Sequence, residues 1–413
     1  MAIKFLKIPL LVAALLCGSN PAFAQTWTQT SVPSNDWVSV VSSADGSKLA
    51  AAGGLANGGN RNFYGDGLIY VSTNLGVDWM QTSAPTNTWS GVASSADGTK
   101  LAATASGDFI YTSTNSGSDW ATTSAPSNSW AAVASSADGA TLDAVANGDG
   151  IYFSTNSGLD WTESDAPVTN WNSIACSADG TKAIAASSSQ VWISEDSGAT
   201  WIQTDLPSLI WSSVCSSADG NKLATVGLST TVTLPGGGRI STYGGFGIST
   251  DSGETWIINT NFSANRIVSS ADGNKLIAIN GSGIYTSTDS GATWTQETNI
   301  SDSVAIACSA DENKIVVAAL GTMLTAGGRL LLGPGPIYIS FSTPSPQLNI
   351  VPTNSSFQLS WIIPSTNFVM QQSSDLASWS DVTNTPVLNL TNLQDQITVA
   401  PSNSNGFYRL ATP

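Results

Sequence analysis

Short apolar segments alternate with small polar turns along most of the chain, without the three-to-four-residue apolar spacing of an amphipathic helix. The unit near residue 100 is typical. Its apolar runs are Trp89 to Ser95, Lys100 to Thr104 and Phe109 to Thr112, and Trp120 opens a fourth. Runs of this length that are rich in aromatic and β-branched residues favour strands. The pattern predicts an all-β protein with four short strands, a to d, in each unit.

A tripeptide, Ser-Ala-Asp, marks the turn after strand a seven times. Glycine follows it in six copies, where it can take the positive φ of a tight turn, and Glu312 replaces glycine in the seventh. A period near 40 residues with four strands per unit is typical of a propeller blade. The sequence therefore predicts a seven-bladed β-propeller. The aspartates of the tripeptides are Asp45, Asp97, Asp138, Asp179, Asp219, Asp272 and Asp311.

A second turn recurs six times before strand d. It reads Ser72-Thr-Asn-Leu-Gly-Val-Asp-Trp79 in the first unit and returns at 113–120, 154–161, 194–201, 249–256 and 287–294. These segments resemble the Asp-box, S-x-D-x-G-x-x-W, of the BNR-repeat propellers, which include sialidase-like and photosystem II assembly factor-like members. The resemblance covers about residues 25–342 and implies that the box joins strands c and d of a blade.

The box residues are expected to stabilise the turn, because Ser and Asp side chains can bond backbone N–H groups and Trp can cover the turn. In the first three copies Asn replaces the first Asp, and an Asp precedes the Trp instead. A calcium site is not expected, since no dense run of oxygen ligands occurs. The structural positions are Asn74, Asn115, Asn156, Asp196, Asp251, Asp289, Trp79, Trp120, Trp161, Trp201, Trp256 and Trp294.

The seventh unit lacks its box, because the chain continues from Ile337–Ser340 into Pro344 and Pro346. The segment from Trp27 to Thr30 resembles the fourth strands of the other units. We therefore predict that this N-terminal strand completes blade seven and closes the ring, which removes the open sheet edges.

The remaining parts of the chain differ in composition from the repeats. Residues 1–24 read as a signal peptide that is cleaved between Ala24 and Gln25, which predicts a secreted, periplasmic or cell-surface protein. Residues 343–346 read as a linker. Residues 347–413 are predicted to form a small C-terminal β-sandwich-like domain, and their ending resembles small modules of secreted bacterial proteins. Its predicted core residues are Trp361, Trp379, Phe407 and Tyr408.

Composition narrows the possible partners. The formal net charge of −16 argues against nucleic acid, and no apolar segment is long enough for membrane insertion. Histidine, the commonest general base and metal ligand, is absent. No metal or cofactor is predicted, and a monomer is expected. Cys176, Cys215 and Cys308 each precede a Ser-Ala-Asp turn, and we interpret them as small buried residues rather than a disulfide framework.

Five tryptophans occupy one position of the repeat, eight residues before the tripeptide aspartate. Ala264 and Ser303 stand there in units six and seven. Exposed tryptophans near the propeller axis would stack on sugar rings, whereas buried ones would fill the wedges between blades. Both interpretations remain open from the sequence. The candidate ligand-binding tryptophans are Trp37, Trp89, Trp130, Trp171 and Trp211.

Arginines form a second set of candidate ligand-binding residues. Arg266 lies two residues after Ala264, near the predicted axis, where it would anchor a carboxylate or sulfate or form an ion pair with Asp302. Long insertions between strands b and c occur at 53–67, 228–247 and 320–336 and are predicted to be hairpins. Their candidate binding residues are Arg61, Arg239 and Arg329, whereas the mature lysines all lie beside Ser-Ala-Asp turns at the opposite face.

The sequence favours a non-catalytic binding propeller that recognises a glycan or protein ligand through the face that carries the insertions. One alternative is an extracytoplasmic assembly factor that offers an acidic surface to a protein client. Another is a glycoside hydrolase, which would need paired carboxylates in a cleft of that face, where Asp66 is the one candidate in the insertions. The fold alone does not choose among these functions.

Overall fold

The computed structural model describes residues 26–54, 67–228, 230–233, 239–242, 244–259, 262–298, 300, 302–321, 323–326, 329–332, 334–341, 349–352, 356–362, 369–373, 378–383, 386–389, 394–399 and 407–411. The predicted signal peptide and linker lie outside these residues. Within them the regular structure consists of strands alone. None of the described residues form a helix that is long and apolar enough to cross a membrane.

The strands of the repeat region are β1 (Thr26–Gln29), β2 (Trp37–Ser42), β3 (Leu49–Gly53), β4 (Ile69–Ser72), β5 (Met80–Gln81), β6 (Trp89–Ser94), β7 (Leu101–Asp108), β8 (Ile110–Ser113), β9 (Ala121–Thr122), β10 (Asn128–Ser135), β11 (Leu142–Asp149), β12 (Ile151–Ser154), β13 (Thr162–Glu163), β14 (Thr169–Cys176), β15 (Ala183–Ser187), β16 (Val191–Ser194), β17 (Ile202–Gln203), β18 (Trp211–Ser216), β19 (Leu223–Gly227), β20 (Thr230–Thr233), β21 (Arg239–Thr242), β22 (Phe246–Ser249), β23 (Ile257–Asn259), β24 (Arg266–Ser269), β25 (Leu276–Asn280), β26 (Gly283–Ser287), β27 (Thr295–Thr298), β28 (Ser303–Cys308), β29 (Lys314–Ala319), β30 (Met323–Ala326), β31 (Arg329–Leu332) and β32 (Ile337–Phe341).

The strands of the repeat region pair into antiparallel four-stranded units, seven of them in the described residues, and pairing of β7 with β10 and of β11 with β14 joins the second, third and fourth units into one twelve-stranded sheet. Each unit runs outward from an innermost strand a to an outermost strand d, and we call it a blade. The innermost strands are β2, β6, β10, β14, β18, β24 and β28, and each contacts the next around a closed ring. This arrangement is the β-propeller that the repeat predicted.

The N-terminal strand closes the ring, as predicted. Residues of β1 pair with the outer edge of β32, with Trp27 opposite Ser340 and Gln29 opposite Tyr338. The seventh blade therefore has the order β1-β32-β29-β28, in which strand d comes from the other end of the chain. This pairing gives β32 a neighbour on the side that would otherwise be an open edge.

A ring of backbone hydrogen bonds joins the blades next to the axis. The alanine N–H of each Ser-Ala-Asp turn donates to the alanine carbonyl of the next blade, from Ala44 to Ala96 and finally from Ala310 back to Ala44. All seven bonds are 2.7–2.8 Å long. The members of this alanine ring are Ala44, Ala96, Ala137, Ala178, Ala218, Ala271 and Ala310.

Burial falls from the inside of a blade to its outside. Strand b is buried on both faces, as in β3, and it is built from Ala, Val, Ile and Leu, whereas two-residue outer strands such as β5 and β9 are exposed. Small residues in strand b let neighbouring blades approach closely near the axis, where a propeller is narrowest. The apolar core therefore lies between blades, as a series of wedge-shaped clusters.

The C-terminal residues form two small antiparallel sheets. The strands are β33 (Asn349–Pro352), β34 (Phe357–Ile362), β35 (Val369–Ser373), β36 (Ser380–Asp381), β37 (Val387–Asn389), β38 (Gln394–Val399) and β39 (Phe407–Ala411). Their orders are β33-β34-β38-β37 and β36-β35-β39. Trp361 and Tyr408 belong to one core with Met370 and Ile397, so the two sheets share their apolar side chains. Trp379 is half-buried outside that cluster.

Candidate functional site

The propeller has two chemically different faces. The Ser-Ala-Asp turns join strands a and b, and the Ser-to-Trp turns, which we call c–d turns, join strands c and d, so both lie on one face. We call this the bottom face. The b–c connections and the crossings from one blade to the next lie on the opposite, top face. The insertions that contain β20, β21, β30 and β31 separate strands b and c, so they belong to the top face.

The lysines of the bottom face are engaged in contacts between blades. Lys48 donates to Ser116 Oγ of the next blade at 3.2 Å, and Lys100 donates in the same way to Ser157 Oγ at 3.2 Å. The remaining contacts of this type come from Lys182, Lys222, Lys275 and Lys314. Six of the seven blade junctions in the described residues therefore contain a lysine. Thr141 takes the lysine position at the junction of blades three and four.

The tryptophan series is buried. The side chains of Trp37, Trp89, Trp130, Trp171 and Trp211 are only 0–3% exposed. Each packs between its own blade and the preceding one, as Trp89 does against Ile69 and Val71. In the first four of these blades an aromatic residue of strand c meets the indole edge-on, at ring-centroid distances of 5.2–6.5 Å.

The hypothesis that these tryptophans stack on sugar rings is therefore corrected. A ring that is enclosed by two blades offers no face to a ligand, and burial of its large apolar surface stabilises the junction instead. Four of the indole N–H groups also donate to backbone carbonyls, for example Trp89 to Gly67 at 2.8 Å and Trp37 to Gly335 at 2.9 Å. The series fills wedges between blades, which was the alternative interpretation.

Arg266 is exposed on the innermost strand of blade six. Its Nη1 donates to the backbone carbonyls of Asn265, at 3.1 Å, and Ser212, at 3.5 Å. Among the described residues no carboxylate forms an ion pair with it, so the ion pair with Asp302, one of the two alternatives, is not formed there. Although solvent reaches the guanidinium, surrounding protein atoms desolvate it, and this burial lowers the pKa of Arg266.

The insertions of blades five and seven contain antiparallel hairpins, as predicted. In the first, β20 pairs with β21 and Arg239 faces Thr233 in the register. In the second, β30 pairs with β31 and Arg329 faces Ala326. Both arginines thus begin the returning strand of a hairpin. Arg61 and Asp66 of the first insertion lie outside the described residues.

Two hydrogen-bonded groups on the top face, each made of one Asp, one Asn and one Tyr, were not predicted from the sequence. Asp108 accepts hydrogen bonds from Asn87 Nδ2 at 2.6 Å and from Tyr111 Oη at 3.1 Å. The next blade repeats this arrangement with Asp149, Asn128 and Tyr152. Burial and the nearby Asp149 and Glu163 carboxylates raise the pKa of Tyr152 to about 12. The repeated Gly-Asp before strand c was the available sequence signal.

The bottom face contains a cavity on the propeller axis. Its volume is about 200 Å³, and serine and alanine residues next to the alanine ring line it together with Cys176 and Cys308. Burial raises the pKa values of the Cys176 and Cys308 thiols well above the usual range of a thiol. Cys176, Cys215 and Cys308 are free thiols that are buried or half-buried. No group of three or more His, Cys, Asp or Glu side chains suited to a metal ion occurs in the described part of the chain.

The c–d turns are held by hydrogen bonds within each turn. In the first, Ser72 Oγ accepts the Gly76 N–H at 2.9 Å and Trp79 Nε1 donates to the Gly76 carbonyl at 3.1 Å. Asn74 Oδ1 accepts the Asp78 N–H at 2.9 Å. The serine and the Asn or Asp make equivalent bonds in the other five copies, as those of Asn115, Asn156, Asp196, Asp251 and Asp289 show. The indole bond recurs in four of these copies, whereas Trp294 Nε1 has no hydrogen-bond partner among the described residues.

Comparisons with known proteins extend only to the fold. No family model and no curated protein sequence matches the chain. A solved structure described as YCF48 bound to D1 peptide has a TM-score of 0.53 and 14% identity, over 78% of this chain and 97% of that chain. YCF48 from Cyanidioschyzon merolae has a TM-score of 0.49 and 16% identity, over 76% of this chain and 98% of that chain. An ancestral GH74 enzyme has a TM-score of 0.50 and 15% identity, over 81% of this chain and 53% of that chain. At these identities the similarity to the first and third of these structures shows a shared β-propeller fold and nothing further.

Proposed function

We propose that this protein is a non-catalytic, extracytoplasmic binding propeller that takes a protein or peptide ligand at its top face. The distribution of positive charge carries the proposal. The lysines of the bottom face are engaged at blade junctions, whereas Arg239, Arg266 and Arg329 belong to the opposite end of the blades. Raised loops on a rigid scaffold are common sites of recognition, and arginine is enriched at protein interfaces.

A protein ligand suits this face better than a glycan. Sugar rings are commonly held by exposed aromatic faces, and the five tryptophans near the axis are buried between blades. Hairpins offer backbone and arginine donors, which fit a peptide segment that carries carboxylates. The structure described as YCF48 bound to D1 peptide is an example of a peptide bound by a propeller of this kind.

The hydrogen bonding of the top-face aspartates and the protonation of a nearby tyrosine disfavour catalysis at this face. Asp108 and Asp149 are each hydrogen-bonded to an asparagine and a tyrosine. The raised pKa of Tyr152 disfavours the phenolate that a nucleophilic tyrosine would need. These groups support a binding role over a hydrolytic one.

A peptide-display selection on the protein from Gln25 to Pro413 tests the proposal. We expect enriched peptides with acidic residues, whose binding weakens about tenfold in an Arg239→Gln, Arg329→Gln variant, as removal of two charged hydrogen-bond donors implies. Lys100→Gln, with a charge removed from the bottom face, is the control that should retain affinity. Binding of glycans but not peptides on parallel arrays, or equal weakening by Lys100→Gln, would overturn the proposal.

A further inference from the structure

The aromatic filling of the blade junctions changes at blade six. Ala264 and Ser303 stand where the first five blades have tryptophan, and both are buried. Phe262 and Trp294 fill the junction of blades five and six instead, stacked at a centroid distance of 4.2 Å. The inner end of this junction therefore lacks the bulky indole found in the first five blades. Arg266 follows two residues later on the same strand.

Arg266 is the one charged residue at its position of the repeat. The equivalent residues of the other innermost strands are small and uncharged, and they are Ser39, Gly91, Ala132, Ser173, Ser213 and Ala305. Where serine occupies the position, its Oγ can accept a backbone N–H of the next innermost strand, as Ser173 accepts from Val214 and Ser213 accepts from Ile267. The position thus lies on the inner wall of the ring, where one guanidinium is set among neutral groups.

The guanidinium has unused capacity for hydrogen bonding. It carries five N–H donors, and the two acceptors found for it among the described residues are backbone carbonyls, both bonded through Nη1. Carbonyl acceptors do not neutralise its charge. A partly desolvated charge without a counter-ion is less stable than a fully hydrated one, and this partial desolvation lowers the pKa of Arg266. An anion bound there would recover this free energy.

We propose that Arg266 forms the anion-binding centre of the top face, where it holds one carboxylate of a bound peptide. This inference rests on the proposed function and names the group that is recognised. One guanidinium matches one carboxylate, and its planar fork allows two parallel N–H···O bonds. The acidic character of the whole protein disfavours polyanions such as nucleic acid, so a singly charged group is the ligand that fits.

The test uses the small number of arginines in the chain. The sequence contains only five arginines, namely Arg61, Arg239, Arg266, Arg329 and Arg409. Protein labelled with ¹⁵N-arginine therefore gives a simple set of Hε–Nε signals, and the one lost in Arg266→Lys is assigned to Arg266. The probes are pentaglycine with a free C-terminal carboxylate, pentaglycine amide, and an amidated pentaglycine whose central residue is aspartate.

We expect a saturable shift of the Arg266 signal with either carboxylate peptide and at least a tenfold weaker response to pentaglycine amide. A response to the free terminus alone identifies a C-terminal carboxylate, and a response to the aspartate peptide alone identifies a side chain. Equal responses to acid and amide, or an unshifted Arg266 signal, would overturn the inference. If only the Arg239 and Arg329 signals shift, the proposed peptide-binding function stands and the assignment to Arg266 fails.

Discussion

At the scale of single residues, Asp143 departs most sharply from its surroundings. It lies on strand b of blade three, where the equivalent residues are apolar, such as Ala102 and Ile184. Its side chain is fully buried, and neither carboxylate oxygen has a hydrogen-bond partner in the described residues. Burial raises the pKa of Asp143 to about 7. An unpaired carboxyl in an apolar wedge is held in its neutral form.

The protonation of Asp143 predicts a pH-dependent stability. The folded protein keeps the proton up to about pH 7, whereas the unfolded chain releases it near 3.8. The contribution of Asp143 to stability should therefore fall as pH rises from about 4 to 7 and remain constant above 7, with a loss of about 4 kcal/mol for the full shift. We expect Asp143→Ala to reduce the loss of stability between pH 5 and pH 8 in urea unfolding. Parallel pH profiles for the two proteins would refute the explanation.

Glu312 is the second departure from the repeat at this scale. It replaces the turn glycine of the other six Ser-Ala-Asp turns, and it keeps their left-handed backbone, with φ of 53°. Gly98, at the equivalent place, packs so closely on Lys48 that an added Cβ would lie 2.8 Å from it. Burial raises the pKa of Glu312 well above its ordinary value. The junction of blades six and seven accommodates a strained and buried acid.

At the scale of elements, the c–d turns use two sequences for one geometry. In the first three turns Asn donates to the Asp before Trp, as Asn115 Nδ2 does to Asp119 Oδ2 at 2.8 Å. In the last three, donor and acceptor exchange places, and Thr200 Oγ1 donates to Asp196 Oδ2 at 2.7 Å. Hydrogen bonds from Thr293 and Ser287 lower the pKa of Asp289 to about 2. Both versions of the turn thus contain a hydrogen bond between the same two side-chain positions, with donor and acceptor exchanged.

This exchange predicts a double-mutant rescue in one turn. Asn115→Asp should destabilise the protein by about 1 kcal/mol, because it removes the donor and sets two carboxylates together. Adding Asp119→Thr recreates the arrangement of the later turns and should recover most of the loss. A double-mutant cycle of unfolding free energies measures the coupling. Additive effects of the two substitutions would show that the bridge is not formed.

The sequence predicted the elements well because their signals are local and repeated. Seven tripeptide turns and six c–d turns set the order of strands, and the likeness of residues 27–30 to the other d strands predicted their pairing with β32. The role of Trp89 was not readable, because its exposure depends on how closely the preceding blade packs. Asp143 could have been noticed as a charge within an apolar strand, but its lack of partners depends on the junction with blade four.

At the scale of the whole molecule, three kinds of contact between blades recur from the axis to the bottom face. Backbone bonds of the alanine ring lie innermost, apolar wedges follow, and lysines cross the bottom face. The junction of blades three and four differs, because Thr141 replaces the lysine there and Asp143 lies buried in blade three. A hydrogen bond from Asp165 also joins these two blades, since its carboxylate accepts the backbone N–H of Trp201 at 2.9 Å. The ring is closed but not uniform.

The closure of the ring predicts that β1 can be supplied as a separate peptide. A chain that begins at Ser31 leaves the edge of β32 unpaired and loses the packing of Trp27. We expect its unfolding temperature to fall by about 5 °C or more and the protein to self-associate through the open edge. A synthetic peptide of residues 25–30 should restore both properties, as measured by calorimetry and light scattering. A scrambled peptide of the same composition is the control, and equal rescue by it would argue against strand pairing.

The pairing of β1 with β32 also sets the order of events during synthesis. Strand β1 is synthesised about 300 residues before its partner β32, so it must remain unpaired until nearly the whole propeller has been made. Until then neither the alanine ring nor the seventh blade can be completed. A growing chain thus stays incompletely folded for most of its translation, and chaperones have a long interval in which to bind it.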